Sequence, residues 1–160
     1  MWCVQLLLMI LTTSAWIGSS PTTTTRSVPS SCPVTLRPSV PSVPPPPFSN
    51  IAHPNAFWIG NNGLWSLVTH TDGIWPGPKQ KVFWFDPAYD WLKESTPSLV
   101  LVGRRLDGEA SAPSFTVNNG HRDDWGSFMV SLIHVPTAGC WEIKGTYKQD
   151  ELSFIVWVQE

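Results

Sequence analysis

The sequence predicts an all-β domain, an antiparallel sandwich of about seven to nine strands set behind an apolar leader and a Pro-rich segment. Three observations carry that reading. Short runs of β-branched and aromatic residues recur between Gly, Pro and Asn clusters from residue 51 onward. No segment keeps a helical period. The last two runs, Cys140–Tyr147 and Leu152–Val158, flank the short polar segment Lys148, Gln149, Asp150 and Glu151, which is hairpin chemistry.

That hairpin is the most informative element. In its first run Trp141, Ile143 and Tyr147 fall on one face and Glu142, Lys144 and Thr146 on the other, the period of a half-buried strand. Its second run is apolar on both faces, with Phe154, Val156 and Val158 alternating with Ile155 and Trp157. Such a strand is expected inside a sheet with cover on either side. The order of Pro136, a small residue, Gly139, an aromatic, a strand, a turn and a closing strand is that of the last hairpin of immunoglobulin-like sandwiches, which makes the expected class an immunoglobulin-like antiparallel β-sandwich.

Taken from the start, residues 1–20 hold an apolar core of signal-peptide length followed by the small residues Gly18, Ser19 and Ser20. The core is too short for an ordinary membrane span, which needs roughly 20 apolar residues. The expectation is export with cleavage near Ser20, although no Lys or Arg precedes the core. An uncleaved N-terminal anchor is the alternative, and would attach the protein to a membrane. Residues 21–50 contain nine Pro among Ser, Thr and Val. Helix and ladder are excluded through most of such a segment, which is expected to be an extended linker. Its Thr22–Thr25 run would suit O-glycosylation.

The folded domain is expected over 51–160. Its strands are expected around Ala56–Ile59 and over Gly63–Thr69, Lys81–Asp86, Ser98–Leu106, Ser114–Val117 and Ser127–Val135, followed by the two hairpin strands. Ala88–Lys93 could make one helical turn. The two Asn-Asn-Gly triplets, Asn61–Gly63 and Asn118–Gly120, read as turns because Asn and Gly tolerate positive φ.

Composition excludes several functions. A net charge of -2, with Lys and Arg scattered, leaves no basic stripe for nucleic acid. HExxH, paired-Cys, calcium-loop, GxSxG and phosphate-loop patterns are all missing, so no catalytic residue, metal or cofactor is expected and the chain does not read as an enzyme. The densest polar cluster, Gly120-His121-Arg122-Asp123-Asp124-Trp125, has a His and carboxylates for a metal site or a base, but adjacent loop residues diverge, and a solvated loop is the simpler expectation.

The ten Trp are the feature that composition leaves open. Exposed Trp faces stack on sugars or anchor protein partners. Trp84, inside KVFWFD, is expected in the core. Trp75, in the Gly/Pro-rich DGIWPGP, and Trp91, beside Asp90 and Lys93, are the expected surface residues and the candidate ligand contacts.

Several separate stretches carry a family resemblance: CPVT at Cys32–Thr35, GNNGLW at Gly60–Trp65, GRRLDG at Gly103–Gly108, and PTAGCWEIKG with LSFIVWV at the end. With these the chain resembles a family of bacterial extracytoplasmic proteins that are secreted, lipid-modified or membrane-anchored. The resemblance implies export and an immunoglobulin-like fold, and brings no activity or catalytic residue. Lipoproteins place the modified Cys directly after the apolar core, whereas Cys32 stands a dozen residues beyond it. Once the leader is removed, Cys32 and Cys140 are the remaining cysteines, and an even count in an exported chain points to a disulfide between them. A lipidated Cys32 with a free Cys140, or two unpaired thiols, are the alternatives. The expected role is a non-catalytic module at the cell envelope, structural or protein-binding, whose partner is a protein or a cell-wall glycan; a carbohydrate-binding module using Trp75 and Trp91 is the alternative, and a metal-dependent hydrolase built around His121 and Asp123 a further one.

Overall fold

A computed structural model describes residues 27–51, 55–60 and 63–160. The leader, the Thr22–Thr25 run, Asn61 and Asn62 lie outside the described residues. The chain forms an immunoglobulin-like sandwich of two sheets. One has the order β1 (Ala56–Gly60), β2 (Trp65–Thr69), β4 (Lys79–Phe85), β7 (Gly126–His134), β6 (Ser114–Arg122). The other has the order β3 (Ile74–Trp75), β9 (Asp150–Val158), β8 (Gly139–Tyr147), β5 (Val100–Arg105). All pairs are antiparallel except β3 with β9. The chain thus changes sheets at every step from β2 to β6, and again between β7 and β8.

Period-two alternation decides which side chains fill the space between the sheets. Val82 and Trp84 of β4, Met129 and Ile133 of β7, Trp141, Ile143 and Tyr147 of β8 and Phe154, Val156 and Val158 of β9 form the main core. Trp84 is fully buried, and its indole N–H donates to Ser131 Oγ at 2.9 Å, so the ring enters the core with its polar atom satisfied. The closing hairpin has the expected register. A two-residue turn, with Lys148 at φ 54°, joins Tyr147 to its partner Asp150.

The other faces of both sheets are also apolar, and the N-terminal segment covers them. Val28, Cys32 and Val34 pack with Cys140, Ile155 and Trp157 on the outer face of β8 and β9. Thr35 N–H donates to the Ile155 carbonyl at 2.8 Å, and Thr35 Oγ1 accepts the Ile155 N–H at 2.9 Å. Arg37 then donates to the Ala56 carbonyl at 2.7 Å. Phe48, in a short 3-10 turn at Phe48–Asn50, packs on Phe85 with centroids 5.1 Å apart, and Ile51 accepts the Trp58 indole N–H at 3.3 Å. Phe48, Trp58, Trp65, Phe85 and Phe128 make a second, aromatic core on the outer face of the first sheet.

This corrects the expected boundary at residue 51. From Val28 onward the Pro-rich segment is a strap over both faces, because the apolar residues between its prolines, Val28, Cys32, Val34 and Phe48, have matching surfaces to bury. Three smaller expectations also change. Asn118–Gly120 lies within β6 and makes no turn. Its Gly is there for space, since a Cβ at Gly120 would collide with the Phe128 ring lying across it. Ala88–Lys93 makes no helix, only a turn closed by the N–H groups of Lys93 and Glu94 on the Asp90 carbonyl, both at 3.0 Å. DGIWPGP, expected as a surface loop, contains β3, which pairs Ile74 with Trp157 and Trp75 with Val158.

Candidate functional site

Cys32 and Cys140 form the expected disulfide, with Cα atoms 5.7 Å apart, buried under the strap. A bond of this kind persists in a non-reducing, extracytoplasmic setting. Among the described residues no helix is long and apolar enough to cross a membrane. Cys140 faces outward from β8, opposite to Trp141, and therefore joins the strap to the sheet instead of joining the two sheets.

The structure separates the two candidate tryptophans. Trp75 is 2% exposed, packed on Phe154 with centroids 6.1 Å apart, which corrects the expectation of a surface residue able to contact a ligand. Its burial follows from the parallel pairing of β3 with β9, where Gln159 N–H donates to the Trp75 carbonyl at 2.9 Å. Trp91 is half-buried. It packs against the main core, and its ring stacks on His121 at 4.9 Å and 24°. In the β6–β7 turn Arg122 makes two hydrogen bonds of 2.9 Å to Asp124 and lies over Trp125 at 4.4 Å. Gly120–Arg122 thus end β6 and Asp123–Trp125 make the turn, which is braced by its own pairs, and among the described residues no group of His, Cys, Asp and Glu has the arrangement of a metal site.

A concavity lies elsewhere, beside β5. It is a groove of about 420 Å³ lined by Gly103, Arg104, Arg105, residues 108–112 and Trp141. That volume lies within the range of ligand pockets, about 300 to 1,000 Å³.

The GRRLDG stretch builds this groove and anchors it to PTAGCW. Arg105 donates from Nε to Asp107 Oδ1 at 2.7 Å and from Nη1 to Thr137 Oγ1 at 3.1 Å, and Leu106 N–H donates to the Cys140 carbonyl at 2.8 Å. The Arg105 hydrogen bond holds the Asp107 carboxyl below its ordinary value, against partial burial and with help from the Cys140 N–H. Gly139, at φ 141°, is needed here because a Cβ would stand 2.8 Å from Arg105 Nη2 and 2.9 Å from Asp107 Oδ1. The motif thus clamps the end of β5 against the disulfide.

Among the described residues β5 is an edge strand paired only with β8. Because Leu106 N–H points at Cys140, period-two counting turns the backbone groups of Val102 and Arg104 toward β8 and those of Leu101, Gly103 and Arg105 toward the open edge. Among the described residues these three make no backbone hydrogen bond to any further strand. Val100 and Val102 stand 60% and 57% exposed on the outer face beside them. Arg104 is held by Glu142 at 2.9 Å, whereas Glu109 in the groove lining has no ion-pair or hydrogen-bond partner among the described residues.

Sequence reasoning identified this stretch as a strand and as a motif but not as a site. The available signal was VLVGRR itself, a short apolar run ending in charge with no edge-blocking Pro or Lys. Comparison with protein-family profiles, with curated proteins and with solved structures returned no match.

Proposed function

We propose that the chain is a non-catalytic extracytoplasmic module, secreted or held at the cell envelope through its N-terminus, whose role is contact with another protein. The observation that carries this reading is the pair of valines on β5, Val100 and Val102, each more than half exposed on a rigid strand beside a formed groove. Exposed aliphatic side chains flanking a concavity favour protein contact over solvent exposure alone. The leader-like residues 1–20 and the disulfide support export. A glycan partner has less support, because Trp75 is inaccessible and one face of Trp91 is occupied by His121.

A photo-crosslinking amino acid at Val102, in the chain expressed with its native N-terminus in a bacterial host, tests the proposal. The expected result is an extracytoplasmic protein adduct, identified by mass spectrometry and lost when the probe is moved to the strap-covered Ile155. Glycan adducts only, the same adduct from Ile155, or protein retained in the cytosol would each overturn it.

A further inference from the structure

We propose that the open edge of β5 and the adjoining groove take an extended peptide segment by strand addition, with apolar side chains over Val100 and Val102 and a basic side chain at Glu109. This rests on the protein-contact reading above and names the class of partner.

The first support is backbone chemistry. Leu101, Gly103 and Arg105 present N–H and C=O groups to the open edge in the spacing that an added strand would satisfy. Unpaired apolar edges promote association, and proteins blunt them with Pro, Lys, bulges or covering segments. The strap does this elsewhere in the molecule: Arg37 occupies the Ala56 carbonyl on β1, and Thr35 occupies Ile155 on β9. Nothing comparable occupies β5 at 101–105 among the described residues.

The second support is the shape of the groove. The groove is lined by Gly103–Arg105 and by residues 108–112, so a chain laid along β5 would also meet the loop that follows it. A Cβ at Gly103 would stand 2.5 Å from the Pro113 ring, so the glycine lets Pro113 pack directly on β5.

Charge selects the segment. Arg104 and Arg105 are neutralised by Glu142 and Asp107, at 2.9 and 2.7 Å. Among the described residues that leaves Glu109 as the carboxylate of the groove lining with no partner, and a Lys or Arg on the incoming chain would pair with it. Alternation supplies the rest, because every second residue of an added strand lies on the same face as Val100 and Val102.

The test is fluorescence anisotropy of the intact mature chain with a labelled peptide alternating Thr and Val and carrying Lys at both ends. Saturable binding is expected. N-methylation of alternate peptide nitrogens should weaken it by about tenfold or more, the loss of one to two net hydrogen bonds. Replacing Lys by Glu in the peptide should weaken it similarly, and Glu109→Lys should reverse that preference. On binding, the amides of Leu101, Gly103 and Arg105 should gain protection from hydrogen exchange. Equal binding of the N-methylated peptide, no reversal with Glu109→Lys in a variant of unchanged melting temperature, or unprotected edge amides would each overturn strand addition. If no peptide binds while the Val102 probe still captures a protein, strand addition falls and the protein-contact reading stands.

Discussion

The Tyr147 hydroxyl, fully buried at the end of β8, donates to Oε2 of Glu94 in the β4–β5 loop at 2.7 Å. Glu94 Oε1 accepts the Ser98 N–H at 2.5 Å, and its carbonyl accepts the Tyr89 hydroxyl at 3.3 Å. One carboxylate therefore ties a long loop to the closing hairpin. Burial pushes the Glu94 carboxyl up, but the hydrogen bonds from Tyr147 and Ser98 outweigh it and hold the group below its ordinary value. Burial first, then Glu94, drives the Tyr147 phenol well above its own.

A depressed carboxyl contributes stability that is complete above its unfolded pKa, near 4.3, and lost as pH falls through the lower folded value. Tyr147→Phe is expected to reduce unfolding free energy at pH 7 by about 1.5 to 3 kcal/mol, the range for a hydrogen bond to a charged group. Urea denaturation at pH 7 and at pH 3 should show the gap between variant and parent narrowing at the lower pH.

The disulfide closes a long loop, since Cys32 and Cys140 are 108 positions apart. In the chain-entropy treatment, closing about that many residues removes roughly 4 to 5 kcal/mol of unfolded-state entropy. That is a large share of the 5 to 15 kcal/mol typical of whole domains, roughly speaking. The paired variant Cys32→Ala with Cys140→Ala should therefore melt far below the parent by calorimetry. It should also lose hydrogen-exchange protection at the Thr35 and Ile155 amides, which the strap holds.

Trp75→Ala should act on stability. Removing a 2%-exposed indole from beside Phe154 leaves a cavity and is expected to cost about 3 to 5 kcal/mol. Denaturant unfolding measures that loss. Titration with mixed glycans should leave the emission of Trp75 unchanged in the parent, as seen by difference from Trp75→Phe.

Asp86 is 3% exposed at the end of β4, and its Oδ1 accepts the Ala88 N–H at 2.7 Å while among the described residues Oδ2 has no partner. Burial raises its pKa; the Ala88 N–H opposes this, Asp150 adds to it and Lys148 opposes it. A raised carboxyl costs the folded state nothing below the unfolded pKa near 3.9, and the cost grows as pH rises through the folded value. Asp86→Asn keeps the Oδ1 acceptor and removes the charge. It should raise the melting temperature at pH 7 and leave it nearly unchanged at pH 3.

Local pattern determined much of this fold in advance. Alternation in Trp141–Tyr147 and Phe154–Val158 marked the inner faces of β8 and β9, because a strand's period of two is a property of the backbone alone. The double-sided apolarity of β9 announced cover on both faces, and the strap supplies it. In the candidate site the strand and the motif were legible, but the groove was not. Its lining comes from β5, the loop that follows it and Trp141, and the freedom of the β5 edge depends on which strand is absent beside it.

By itself the sequence determined the sandwich class, the position of nearly every strand and the Cys32–Cys140 pair, since each follows from neighbouring residues or from a count of two. Tertiary structure alone decided that residues 28–51 are a strap, that Trp75 is core, that Asn118–Gly120 stays in a strand and that β5 is left open. The physical reason is the same in each case. These outcomes depend on contacts between residues far apart in the chain, such as Thr35 with Ile155 across 120 positions. A proline-rich or glycine-rich stretch carries no local periodicity to say which distant surface will bury it.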